Sequence, residues 1–201
     1  MPGFGKYEST LERDFMEILR FDPDVEEFAA QPMTIDYVDA NGKTRKYTPD
    51  GFIKFKQRSG VGAPSILYEI KYREDFRKEW RDLMPKFRAA KRYALQRGWR
   101  FEVYTEREIR TAYLNNVRFL QPYLERIPEE GVAKHVLLIL NDLDEADPDL
   151  LLCALSSDSN NRAFYIPIIW HLVAIGEIDC DLEKPLTMRS VTSSSISGRG
   201  H

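Results

Sequence analysis

Leu11, Phe15, Ile18 and Leu19 fall at i, i+4, i+7 and i+8, a spacing that predicts a helix over residues 9–20. Ser9, with Glu12 three residues on, matches a capping box at its start, and Phe21-Asp22-Pro23-Asp24 closes it. The period then changes. Residues 33–38 tend to alternate, Asn41-Gly42 supplies a hairpin turn, and residues 43–48 return antiparallel. Further strands are expected over 51–55 and 65–71, on either side of a loop at 57–64. From Asp75 the helical steps return through Trp80, Leu83, Phe87, Ala90 and Ala94, with Pro85 as a kink point and Gly98 as the stop. Residues 100–104 read as a last strand, with a helix after it. The order predicts an α/β fold, a mixed sheet flanked by helices, over residues 1–122.

Residues 123–192 have another rhythm. Helices are expected at 133–142, 148–155 and 160–176, followed by a two-stranded wing, 177–182 and 186–191, around Glu183-Lys184-Pro185. Three helices and a hairpin suggest a small winged-helix-like α+β domain. The Ser- and Gly-rich residues 193–201 read as a disordered tail.

Composition narrows the classes. The 201 residues can form one generous domain or two small ones. Cys153 and Cys180 form no C-x-x-C pair and the three histidines do not cluster, which argues against structural zinc and against a secreted disulfide framework. The first ten residues hold no apolar signal region, and the longest apolar stretch, 164–176, is too short for a bilayer; a cytoplasmic protein without a membrane is expected. No G-x-S-x-G occurs and no histidine precedes His135, so a serine or cysteine hydrolase is disfavoured.

The net charge of -3 hides a segregation. Residues 1–51 carry 6 Lys/Arg against 11 Asp/Glu, residues 52–118 carry 17 against 8, and residues 119–201 carry 6 against 13. The basic middle suits a polyanion-binding face or a solvated arginine-rich helix. Residues 71–100 concentrate it, with 11 Lys/Arg against 4 Asp/Glu, and Lys78, Arg81 and Lys86 are the expected DNA contacts. The acidic C-terminal part would repel a phosphate backbone, so a protein partner is expected there.

Two acids sit oddly along the strands. Asp50 follows Pro49 at the mouth of one strand, and Glu69 interrupts the next, two residues before Lys71. If the strands pair, the carboxylates meet, and their repulsion is relieved by a hard divalent cation, Mg²⁺ or Mn²⁺ in its place. The Ile70 carbonyl is a further candidate ligand, and Lys71 could orient water or steady a negative transition state. Pro49-Asp50, eighteen intervening residues and Glu69-Ile70-Lys71 form the P-D…E-x-K arrangement of restriction-endonuclease-like nucleases. The plainer alternative makes Asp50 a turn residue and Glu69 and Lys71 a surface pair. Glu12 has two readings as well, helix cap or helical metal ligand. Gln31, before Pro32, is a weaker candidate.

In order, "YESTLERDFMEILRFDPDVEEFAAQPMTIDY", "RKYTPDGFIKF", "LYEIKYRED" and "FEVYTEREIRTAYLNNVRFLQPY" resemble the TnsA endonuclease subunit of heteromeric transposases, well over residues 7–124 and more loosely beyond. The resemblance implies that Glu12, Asp50 and Lys71 occupy catalytic positions and Glu69 the remaining metal-ligand position. It implies cleavage at the 5′ ends of a mobile element, a DDE transposase subunit that cuts the 3′ ends, and an ATP-dependent regulator. Residues 60–65 lack the lysine of a phosphate-binding loop, so any ATPase would be a partner. The rival expectations are a restriction or repair nuclease of the same fold acting without a transposase, and a non-catalytic DNA-binding adaptor.

Overall fold

The computed structural model describes residues 10–39, 41–57 and 62–195. In its first unit, Met1–Arg110, helix α1 (Thr10–Phe21) buries Leu11, Phe15, Met16 and Leu19 along the expected stripe. Ser9 lies outside the described residues, and the capping box with it. After α1 comes a strand that the periodicity did not predict, β1 (Val25–Ala30). Strands β2 (Ile35–Val38) and β3 (Thr44–Tyr47) pair antiparallel as expected. Gly42, at φ +77°, takes the left-handed conformation their turn needs.

Strand β4 (Gly51–Phe55) follows, then β5 (Ile66–Ile70), helix α2 (Arg73–Leu95) and strand β6 (Arg100–Tyr104). The sheet order is β1-β4-β5-β6. The β1–β4 and β4–β5 pairs are antiparallel and β5–β6 is parallel, so the sheet is mixed. A parallel pair needs a long crossover, and α2 supplies it. Strand β5 is buried on both faces, with its side chains alternating between two cores. Leu67 packs with Ala89, Ala90 and Ala94 of α2 and with Ile35 and Tyr47 of the hairpin. Tyr68 and Ile70 pack against the buried stripe of α1.

Helix α2 continues through Pro85 without a break. Trp80, expected in its buried stripe, is instead 49% exposed, and the buried residues of the helix are Leu83, Phe87, Ala89, Ala90 and Ala94. Helix α3 (Glu106–Ile109) ends the unit, started by a capping box between Thr105 and Glu108.

The second unit, Thr111–His201, opens with α4 (Ala112–Leu124). Pro122 lies inside this helix, so the break expected there falls earlier, after Arg110. Then come α5 (Glu130–Leu143), β7 (Glu145–Ala146), α6 (Pro148–Leu155), α7 (Ser159–Ala174), β8 (Ile178–Cys180) and β9 (Thr192–Ser194). The three strands form an antiparallel sheet in the order β7-β9-β8. Residues 186–191, expected as a wing strand, are turn and irregular chain, and the strand lies at β9. That strand also takes Ser193 and Ser194 out of the expected disordered tail. Thr192 and Ser194 are buried at the sheet centre, and the Thr192 hydroxyl donates to the Ala146 carbonyl at 2.5 Å. Buried Asn116 of α4 holds the intervening loop: its amide donates to the carbonyls of Leu182 (2.8 Å) and Lys184 (2.7 Å) and accepts from the N–H of Leu186 (3.0 Å). Among the described residues no helix is long and apolar enough to cross a membrane.

Candidate active site

Strands β4 and β5 pair through Gly51 and Tyr68. One step beyond, that register sets Asp50 opposite Glu69, the juxtaposition the sequence led one to expect. The backbone fixes Asp50 at two points. The N–H of Ile70 donates to its Oδ2 at 2.7 Å, and the N–H of Gln31 donates to its carbonyl at 2.9 Å. Gln31 adopts φ +47°, a conformation unusual for a side chain other than glycine. That backbone bond places Gln31 at the turn between β1 and the hairpin, next to Asp50.

Glu69 is 5% exposed. The Tyr47 hydroxyl donates to its Oε2 at 2.6 Å, tying β5 to the end of the hairpin. Burial, and then the charge of Asp50, push the Glu69 carboxyl up to about 7, while the Tyr47 hydrogen bond and the Lys71 charge pull the other way. Burial and the Glu69 charge hold Tyr47 firmly protonated, so it remains a donor.

Lys71 extends the parallel ladder by one bond, its N–H donating to the Tyr104 carbonyl at 3.0 Å. Being two residues from Glu69, it falls on the same face of the strand. The chain then turns into α2, where the Arg73 N–H donates to Glu106 Oε2 at 3.0 Å. That bond and the helix start hold the Glu106 carboxyl below its ordinary range.

Glu12 approaches from α1. Burial first, then the charges of Asp50 and Glu12, raise the Tyr68 phenol above its ordinary value. The ring itself lies against Gly51, where a Cβ would come within 2.2 Å of its Cζ and hydroxyl oxygen. Helix α1 is anchored by Arg110, whose guanidinium donates to Asp14 Oδ2 (2.7 Å), Thr10 Oγ1 (3.1 Å) and the Tyr72 hydroxyl (3.3 Å). Tyr72 is the residue after Lys71, so one arginine links the helix of Glu12 to the exit of β5.

Among the described residues no three Asp, Glu, His or Cys side chains gather as a ready metal cluster. The structure brings Asp50 and Glu69 together by strand register, with Lys71 following on the same strand, and carries Glu12 on α1, the helix packed against Tyr68 and Ile70. A hard divalent cation fits this donor set, because two carboxylates share one strand end and one of them, Glu69, is buried. Of the expected DNA contacts, Lys78 pairs with Glu74 at 2.7 Å, while Arg81 and half-buried Lys86 face a cleft with Arg45 and Lys46 of β3. Sequence reasoning missed Tyr47, Tyr68 and Gly51. The one available signal was Tyr47 standing just before Thr48-Pro49-Asp50 in the predicted return strand.

Two family models match the chain. One, the TnsA-like endonuclease N terminal, covers residues 22–106, and the other, the TnsA endonuclease C terminal, covers residues 108–182. No curated protein matches it.

Proposed function

The chain belongs to the TnsA endonuclease family, and from that premise we propose that its first unit hydrolyses DNA phosphodiesters at the 5′ ends of a mobile element, using a divalent metal. The observation that carries this reading is the placement of Asp50 opposite Glu69, with Asp50 held by the Ile70 N–H and Glu69 held by Tyr47.

Asp50 and Glu69 would hold the metal, joined by Glu12 and the Ile70 carbonyl. The chemistry that Mg²⁺ supplies at such a site, or Mn²⁺ in its place, is activation of a water and withdrawal of charge from the phosphate. The protein's own part is orientation. Tyr47 donates to one oxygen of Glu69 and so fixes how its carboxylate is turned. Lys71 places an ammonium beside the carboxylates, where it can hold a water in line or steady charge that grows on the phosphate. Lys78, Arg81 and Lys86 would add phosphate contacts along α2.

The order α5, β7, α6, α7, β8, β9, with β9 at the centre of the small sheet, supports a winged-helix reading of the second unit. Its acid surplus points to a protein ligand: the DDE transposase subunit that cuts the 3′ ends, or the ATP-dependent regulator. The test is nicking of end-labelled element DNA in Mg²⁺, with and without the transposase subunit. Cutting at the 5′ ends that needs the partner supports the assignment. Cutting of unrelated DNA at the same rate without any partner would make it a free-standing restriction or repair nuclease.

A further inference from the structure

Val38 of the hairpin and Trp80, Met84, Pro85 and Leu95 of α2 form the apolar floor of an open groove of about 1040 Å³ that runs along the helix. The rim is cationic, made by Arg81, Arg88, Lys91 and Arg92. Val38 is 58% and Leu95 74% exposed, large apolar surfaces to leave uncovered. Among the described residues Arg88, Lys91 and Arg92 enter no ion pair. The acid in the lining, Asp39, is engaged within its own turn: it accepts from the N–H groups of Asn41 and Lys43 and from Arg45 Nε. The groove therefore presents uncompensated positive charge beside flat apolar faces.

We infer that this groove binds single-stranded DNA, with a base stacked on Trp80 and phosphates on Arg88, Lys91 and Arg92. The inference rests on the nuclease reading for its biological setting, but not for its test. Duplex DNA offers phosphates alone to such a surface and gives the apolar floor nothing to cover. A single strand offers both charge and exposed base faces, and sequence-independent binders of single strands combine the same two elements. Arg81, 5.5 Å from the centre of the Trp80 ring, adds a second planar group from which a base can be gripped. The hairpin connects the groove to the acids. Its Tyr47 end touches Glu69, and its Val38 end, about 10 Å along the strand pair, lines the groove. A strand released at the carboxylates has a short route to Trp80.

The experiment is fluorescence anisotropy of a labelled oligothymidine and of a labelled duplex with the full chain, in EDTA, so that no cutting is needed. Trp80→Ala should weaken oligothymidine binding about 10-fold and leave duplex binding unchanged. Trp80→Phe should restore most of the loss, and Arg88→Glu with Lys91→Glu should flatten the salt dependence. Equal losses on both DNAs, no loss on either, or an acidic amphipathic peptide binding where oligothymidine does not, would each overturn the inference. A chain that cuts DNA yet ignores Trp80 refutes only the groove. A chain that binds oligothymidine through Trp80 yet never cuts refutes only the nuclease.

Discussion

The backbone N–H of Ile70 donates to Asp50 at 2.7 Å, so the strand that carries Glu69 and Lys71 also holds the other acid in place. Asparagine can accept that same bond. Asp50→Asn should therefore keep the melting temperature of the parent chain, whereas Asp50→Ala leaves the Ile70 N–H without this acceptor and should cost about 1–3 kcal/mol. Thermal melts of the two variants side by side decide this.

Glu69 gives a pH dependence whose sign is fixed. Its carboxyl, pushed up to about 7 by burial and by Asp50, binds its proton more tightly folded than unfolded. Without metal, stability should fall as pH rises from about 5 to about 8, by up to ~3 kcal/mol. Glu69→Gln should abolish that slope and be the more stable protein at the alkaline end. Urea denaturation in EDTA across this range would show it, and a slope that survives in Glu69→Gln would assign it to another group.

Tyr47→Phe removes the hydroxyl that donates to Glu69 at 2.6 Å. Because that bond favours the ionised carboxyl, the variant should destabilise by about 1–3 kcal/mol and move the Glu69 titration to higher pH. The shift separates a tyrosine that tunes the acid from one that merely fills space.

Gly51→Ala would put a Cβ 2.2 Å from the Tyr68 ring, which must move or the strand must. An overpacking cost of about 1–3 kcal/mol is expected, together with lower cleavage, since Asp50 is the adjacent residue. A melting temperature equal to that of the parent would show that the ring has room to yield.

Much of this was legible because periodicity and turn chemistry agreed. The hairpin, β4, β5 and α2 each carried a clear period, and Asp50 and Glu69 stood out as charges on apolar strands. Strand β1 was not legible: Val-Glu-Glu-Phe-Ala-Ala pairs on one side only, with β4, and shows no alternation of burial. Strand β9 was hidden because its buried residues are hydroxyl-bearing Thr192 and Ser194, the first lying just past the expected wing strand and the second inside the expected tail. The partnership of Tyr47 with Glu69 spans 22 residues and depends on how the hairpin folds over β5, which no local pattern encodes. Trp80 matched the helical spacing, but spacing cannot tell which turns of a helix its neighbours cover.

The most direct measurement is Mg²⁺-dependent cleavage of element-end DNA, in the presence of the transposase subunit, by the parent chain, Asp50→Asn and Glu69→Gln, with a melt of each as the control for folding. The parent should cut in Mg²⁺ and not in EDTA, and both variants should be folded and inactive. Full activity in either folded variant would contradict a nuclease centred on these two acids.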